Sequence, residues 1–430
     1  MNRRGFLKFA AQMGGLALAP RLSVASSLAP GSGKNLVVIN LFGGCDGLAM
    51  LPYYSGVQAT KVATLRSAIN VAPGSVIDLG GQTGLPYRIG MHPALSGVAS
   101  AAAGRIGVVQ RYGLINESGR SHDTSQLLVS LGADSTDYDA GRGFLARLMD
   151  NQHWDSLQYW GLSGDLLADF NAREQRPIVV SRISEFGLAS LYPESDLDAN
   201  QVAETFRELQ GGEVQLSGIA RRYGDTVLRV HASISLVQRE IAAQQVAQFG
   251  EGIGESLADA TRILAAKKTS AALGQRDKST VLYLGMGGYD THSDQGLATA
   301  FDSGLAWNLK NLGDNLGVFI SELKRIGAWE DTVVVVISEF GRTVRQNGSS
   351  GSEVGTDHGW GNNTFVIGGA VNHGVYGEPP SVAELNDEDE NALIASIDYR
   401  DIFSDVFRWM GVPSNGVFPV GYSATSLGLL

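Results

Sequence analysis

Leu36-Val37-Val38-Ile39-Asn40-Leu41, followed by Gly43-Gly44-Cys45-Asp46-Gly47, is a short apolar run that stops at glycines. A run of this length without alternation reads as a strand covered on both faces, as in a parallel sheet. Four similar runs follow: Ile106–Gln110, Val281–Gly285, Val333–Ile337 and Thr364–Ile367. Pro177–Val180 is a shorter sixth. The intervening segments 198–247, 255–272, 298–325 and 399–410 have helical periodicity. Strands alternating with helices predict an α/β fold with a mostly parallel central sheet, helices on both faces and right-handed crossovers. The helical stretch at about 190–275 reads as an insertion covering the sheet of one domain that spans 36–430.

In an open α/β sheet, ligands sit beyond the carboxyl ends of the strands. The first run leads into Asp46, the second into Arg120-Ser121-His122-Asp123, the third into Asp290-Thr291-His292 and the fourth into Ser338-Glu339-Phe340-Gly341-Arg342. Thr356-Asp357-His358-Gly359 precedes the fifth. The chain has only 7 histidines, and His122, His292 and His358 all fall in these loops. Carboxylate with imidazole at strand ends is the ligand set of a divalent metal, most naturally zinc or manganese.

Each residue also has a plainer role. Asp46 among glycines suits a turn, and Asp290 suits a helix cap. Asp290 and His292 are two apart, so extended backbone turns them to the same side. Glu339, directly after a buried strand, needs a partner or a metal. Asp357 can orient an imidazole, with His358 the expected partner. Ser121 is either a nucleophile at a helix start or that helix's N-cap, and His122 is a ligand or an acid–base group. Arg120 and Arg342 are candidates to clamp an anion. His92, His153, His231 and His373 read as structural or surface residues, and Cys45 as a small buried one.

The chain starts Met1-Asn2-Arg3-Arg4-Gly5-Phe6-Leu7-Lys8. This resembles the twin-arginine export signal. Phe9–Ala19 is a weakly apolar stretch broken by Gly14 and Gly15, and Ser23-Val24-Ala25 offers small residues for cleavage. The expectation is a signal peptide over 1–25, a linker over 26–35, the twin-arginine translocase as partner, and a periplasmic or extracellular product. The net charge is −11. Loss of Arg3, Arg4, Lys8 and Arg21 with the signal would make the remainder more acidic still. Such a body argues against nucleic-acid binding. No later run of 18 apolar residues occurs, so no stable membrane span is expected after cleavage. A single cysteine excludes an intrachain disulfide.

Taken together, several stretches resemble a bacterial family of exported proteins of unknown function, itself distantly similar to the alkaline phosphatase and sulfatase superfamily. They are the signal, Gly43-Gly44-Cys45-Asp46-Gly47-Leu48, Met91-His92-Pro93-Ala94-Leu95, Arg120-Ser121-His122, Gly287–His292, Ser338–Arg342 and Thr356–Gly359. The resemblance implies an alkaline-phosphatase-like sandwich with one or two metals at the strand ends. It implies Asp46, Asp290, His292, Glu339 and His358 as ligands, and Ser121 as nucleophile with Thr124 behind it. Phe340 stands where the superfamily has a ligating histidine. The expected activity is metal-dependent hydrolysis of an anionic phosphate or sulfate ester. The alternative is a non-catalytic exported binding or assembly protein with an exported protein partner.

Overall fold

A computed structural model describes residues 32–116, 119–163, 168–185 and 232–430. The expected signal peptide, most of the linker, His231 and the 190–231 part of the expected insertion lie outside the described residues. Within them are strands β1 (Asn35–Leu41), β2 (Tyr53–Ser55), β3 (Arg88–Ile89), β4 (Ile106–Gly113), β5 (Tyr159–Gly161), β6 (Ile178–Val179), β7 (Thr280–Met286), β8 (Thr332–Ile337), β9 (Asn362–Gly368), β10 (Gly374–Tyr376) and β11 (Ile397–Asp398). The helices are α1 (Gly47–Met50), α2 (Gly56–Leu65), α3 (Ser96–Ala101), α4 (His122–Leu131), α5 (Phe144–Asn151), α6 (Ile253–Thr269), α7 (Gly304–Arg325), α8 (Val382–Asn386) and α9 (Tyr399–Met410).

All six expected strands form. The main sheet runs in the order β10-β4-β9-β8-β1-β7-β5-β6, with β11 also on β4, while β2 and β3 form a separate pair. β1 pairs in parallel with both β7 and β8. β9 alone runs against its neighbours, β4 and β8. Its direction places its beginning at the same edge as the carboxyl ends of the parallel strands. The loop before β9 therefore meets the loops after β1, β4, β7 and β8.

Successive side chains of a strand point to opposite faces, and β1 divides its residues accordingly. Val37, Ile39 and Leu41 enter one core, with Leu257 and Leu264 of α6 and Leu309, Leu312, Leu316 and Phe319 of α7. Leu36 and Val38 enter the other, with Phe144 and Leu148 of α5 and Ile402, Phe403, Val406 and Phe407 of α9. Helices thus cover both faces, giving an α/β sandwich with a mostly parallel sheet. The helix expected from 298 begins only at Gly304, whose φ of +60° lies in the left-handed region. A right-handed helix cannot run through that conformation.

One buried acid lies away from the loop edge. Asp169 is 1% exposed, and burial pushes its carboxyl up to about 7, against the Ser130 hydrogen bond and the Arg147 charge. A raised carboxyl pKa gives stability that is complete below the unfolded value near 4 and is lost as pH rises through 7. Roughly three units correspond to about 4 kcal/mol. Asp169→Asn is therefore expected to gain stability relative to wild type at pH 8 over pH 5, read from urea unfolding. An equal difference at both pH values would contradict it.

Candidate metal centre

Four side chains from three loops converge at the strand-end edge. They are His122 at the first turn of α4, Asp290 and His292 after β7, and His358 before β9. One donor atom from each lies within 4.8 Å of all the others. The Nε2 atoms of His292 and His358 are 2.8 Å apart. Asp290 Oδ1 is 3.1 Å from His292 Nε2 and 3.4 Å from His358 Nε2. Asp290 Oδ2 is 3.4 Å from His122 Nε2.

Each imidazole is held from behind by its other nitrogen. His122 Nδ1 is 2.8 Å from Glu339 Oε1, and His292 Nδ1 is 2.8 Å from Asp357 Oδ1. His358 Nδ1 is 2.6 Å from the Arg120 carbonyl. A carbonyl only accepts, so His358 Nδ1 carries the hydrogen, and its Nε2 is a free lone pair when the ring is neutral. The carboxylates act in the same sense. Burial works against ionisation of Glu339, but hydrogen bonds from Gln126, its own backbone N–H, His122 and the Gly43 N–H hold its carboxyl below the usual range. Asp357 is also held low, against burial, by His292 and Asn347. Both are thus acceptors, which turns all three Nε2 atoms toward one centre.

Asp290 also resists burial and is held at about 2 by the hydrogen bond and charge of Arg342, with His292 and His122 adding to them. Burial lowers the pKa of His358, as do the nearby His122, Arg342 and His292. The Phe340 ring packs 4.9 Å from His122 and 4.8 Å from His358. Its edge fills the space over Gly44, where a Cβ would come within 2.3 Å of it. Gly44 therefore has to be glycine, and Phe340 acts as a wall for two of the imidazoles.

Other expected site residues stand apart from the cluster. Asp46 is 1% exposed. It lies 2.7 Å from Arg66 Nη1 and accepts from Gln295 Nε2 at 2.7 Å, while Oδ1 also caps α1 through the Ala49 N–H. Both its oxygens are thus committed to an internal ion-pair network. Glu339 orients His122 rather than joining the four donors. Asp357 pairs with His292 and not with its neighbour His358.

The expected anion clamp is corrected at Arg342. Its guanidinium is buried and donates to the carbonyls of Gly44, Thr356, Gly43 and Tyr289 and to Asp290 Oδ1. It ties three loops together and has no face left for an anion. Arg120 is ion-paired with Glu390. Ser121 holds the N-cap position of α4 in extended backbone, yet its hydroxyl makes no capping hydrogen bond. Arg66 and Gln295 lie in no strand-end motif, so nothing in the local sequence singles them out.

His92 is buried and accepts from the Ala94 N–H. His153 is exposed beside Glu174, and His373 bonds to the Leu79 carbonyl. Cys45 is buried, and burial pushes its thiol well up, which suits a packing residue.

A family described as "Protein of unknown function (DUF1501)" matches residues 228–419. No curated protein matches the chain. Among solved structures, the chain is similar to the lipoteichoic acid synthase LtaP from Listeria monocytogenes. The identity is 12% and the TM-score 0.36, over 90% of this chain and 80% of that one. It is similar to a protein in the alkaline phosphatase superfamily from Vibrio parahaemolyticus at 11% identity and TM-score 0.40, over 94% and 75%. PsFucS1 sulfatase from Pseudoalteromonas sp. gives 12% and 0.31, over 97% and 74%. No described helix is long and apolar enough to cross a membrane.

Proposed function

We propose that this protein is an exported metalloprotein with one divalent ion, most naturally zinc, held by His122, His292, His358 and Asp290, and that it acts as an ester hydrolase. The observation that carries the metal reading is the common orientation of three imidazoles, each with Nδ1 anchored and Nε2 turned inward. The spacing fits as well. Zinc–nitrogen bonds of about 2.0–2.1 Å put tetrahedral donors roughly 3.3 Å apart, near the separations between Asp290 and the three rings. With neutral imidazoles, Asp290, Glu339, Asp357 and Arg342 together leave a net negative charge that a divalent cation offsets. Three nitrogens with one carboxylate favour zinc over manganese.

When bound, such an ion supplies Lewis-acid polarisation of an ester and a more acidic water. Glu339 and Asp357 keep His122 and His292 in the ligating tautomer, and Arg342 holds Asp290 among them. Phe340 excludes water from one side. Ser121, exposed at the start of α4, is the candidate nucleophile, with backbone N–H groups of the first helical turn near it. If it attacks, Ser121→Ala abolishes turnover of an activated phosphate or sulfate ester and leaves metal content unchanged. Unchanged turnover would remove Ser121 from the chemistry. Because its hydroxyl caps nothing, the substitution is expected to cost well under the ~1 kcal/mol of a lost N-cap.

A second reading, a non-catalytic binding protein, is favoured by the commitment of Arg342 and Arg120 to internal partners. Failure of the zinc-loaded wild type to hydrolyse either ester class would select it.

Export rests on Arg3-Arg4, the small-residue site at Ser23-Val24-Ala25 and the twin-arginine translocase as reader. Arg3→Lys with Arg4→Lys is expected to leave the precursor in the cytoplasm, because the arginines themselves are recognised and not their charge. Normal processing of that double variant would sink the export reading.

A further inference from the structure

The four donors are not equivalent. Each histidine has its second nitrogen tied to an acceptor that fixes the ring. Withdrawal of any of them would leave a lone pair aimed at the centre with nothing to meet it. Asp290 differs in the partner behind it. Its Oδ1 is bonded 2.5 Å from Arg342 Nη2, whose side chain is fully buried and fixed by four carbonyls. Exposure does not set it apart, since its side chain is 47% exposed and that of His292 45%. A carboxylate with a permanent cationic partner keeps its charge compensated when it releases a metal. The same partner draws electron density from the oxygen and weakens it as a ligand.

From these features we infer that Asp290 is the exchangeable member of the set, giving up its place to an oxygen of an external carboxylate or phosphate-type anion while it stays paired with Arg342. The inference rests on the metal reading above and adds the class of ligand the centre accepts. Arg342, expected from sequence to grip the anion itself, is instead a positioning residue that keeps the Asp290 carboxylate compensated when an anion takes its place.

Cobalt(II), whose visible spectrum reports its ligands, tests this in the metal-stripped full chain with sodium acetate as the probe. Wild type is expected to bind cobalt and to show a saturable spectral change as acetate is raised. Asp290→Ala should still bind cobalt, more weakly than wild type, and acetate should restore a spectrum like that of wild type. His358→Ala should bind cobalt much more weakly still, and acetate should not restore the spectrum. A wild-type spectrum indifferent to acetate overturns the inference whatever the variants do. So does an Asp290→Ala variant as deficient as His358→Ala and not rescued. Absence of cobalt binding by wild type would instead overturn the metal reading itself, which keeps the two failures separate.

Discussion

Asp46→Ala is expected to cost about 3–5 kcal/mol of folding stability, because it strands the Arg66 guanidinium in the interior without its partner. Both members of the pair are 2% exposed or less. Arg66 also donates to the Val344 and Thr343 carbonyls, so its charge cannot move to solvent when Asp46 is removed. The loss spreads beyond the pair. Gln295 bridges Asp46 to the hydroxyls of Thr291 and Thr356, and these residues neighbour His292 and His358 along the chain. Metal affinity is therefore expected to fall with stability, although Asp46 stands apart from the four clustered donors. Urea unfolding of Asp46→Ala, Arg66→Ala and the double variant measures the pair. The double variant should lose less than the sum of the two singles. Strict additivity would show that the pair is not coupled and that Asp46 is free for another role.

The second large effect is expected from the ion. A ligand that binds only the folded state adds about 2.7 kcal/mol at a free concentration one hundred times its dissociation constant. Zinc should therefore raise the unfolding temperature of the stripped protein, and a chelator should reverse the rise. His358→Ala removes a donor on which two other parts of the site rest. It frees the Arg120 carbonyl and takes away the ring that Phe340 packs against. In that variant the zinc-dependent rise should vanish. A rise of the same size in wild type and variant would place the ion elsewhere.

Much of the architecture could be read from residue order. β1, β4, β7, β8 and β9 are apolar runs of the right length for strands covered on both sides, and the loops at one edge of them bring the four donors together. His122, His292 and His358 were legible because histidine is scarce in this chain and three of its copies fall at that edge. The pairing across loops was not legible. Asp46 meets Arg66, 20 residues on, and Gln295, 249 residues on, and no local pattern encodes either contact. Asp357 adjoins His358 in sequence, but the turn of the chain gives it to His292. Arg342 carries the same charge whether it faces solvent or carbonyls. Only the approach of the loops at 43–44, 289–290 and 356 settles which. The start of α7 was misplaced because apolar residues at 298–301 mimic a first turn that the left-handed Gly304 forbids.

Elemental analysis of protein equilibrated with zinc and dialysed against metal-free buffer tests whether His122, His292, His358 and Asp290 hold a single divalent ion, beside a variant with all three histidines changed to alanine. One ion per chain is expected in wild type and none in the variant, provided circular dichroism shows that both are folded. Wild type without metal, or a folded variant that retains it, would rule out a metal centre at these four residues.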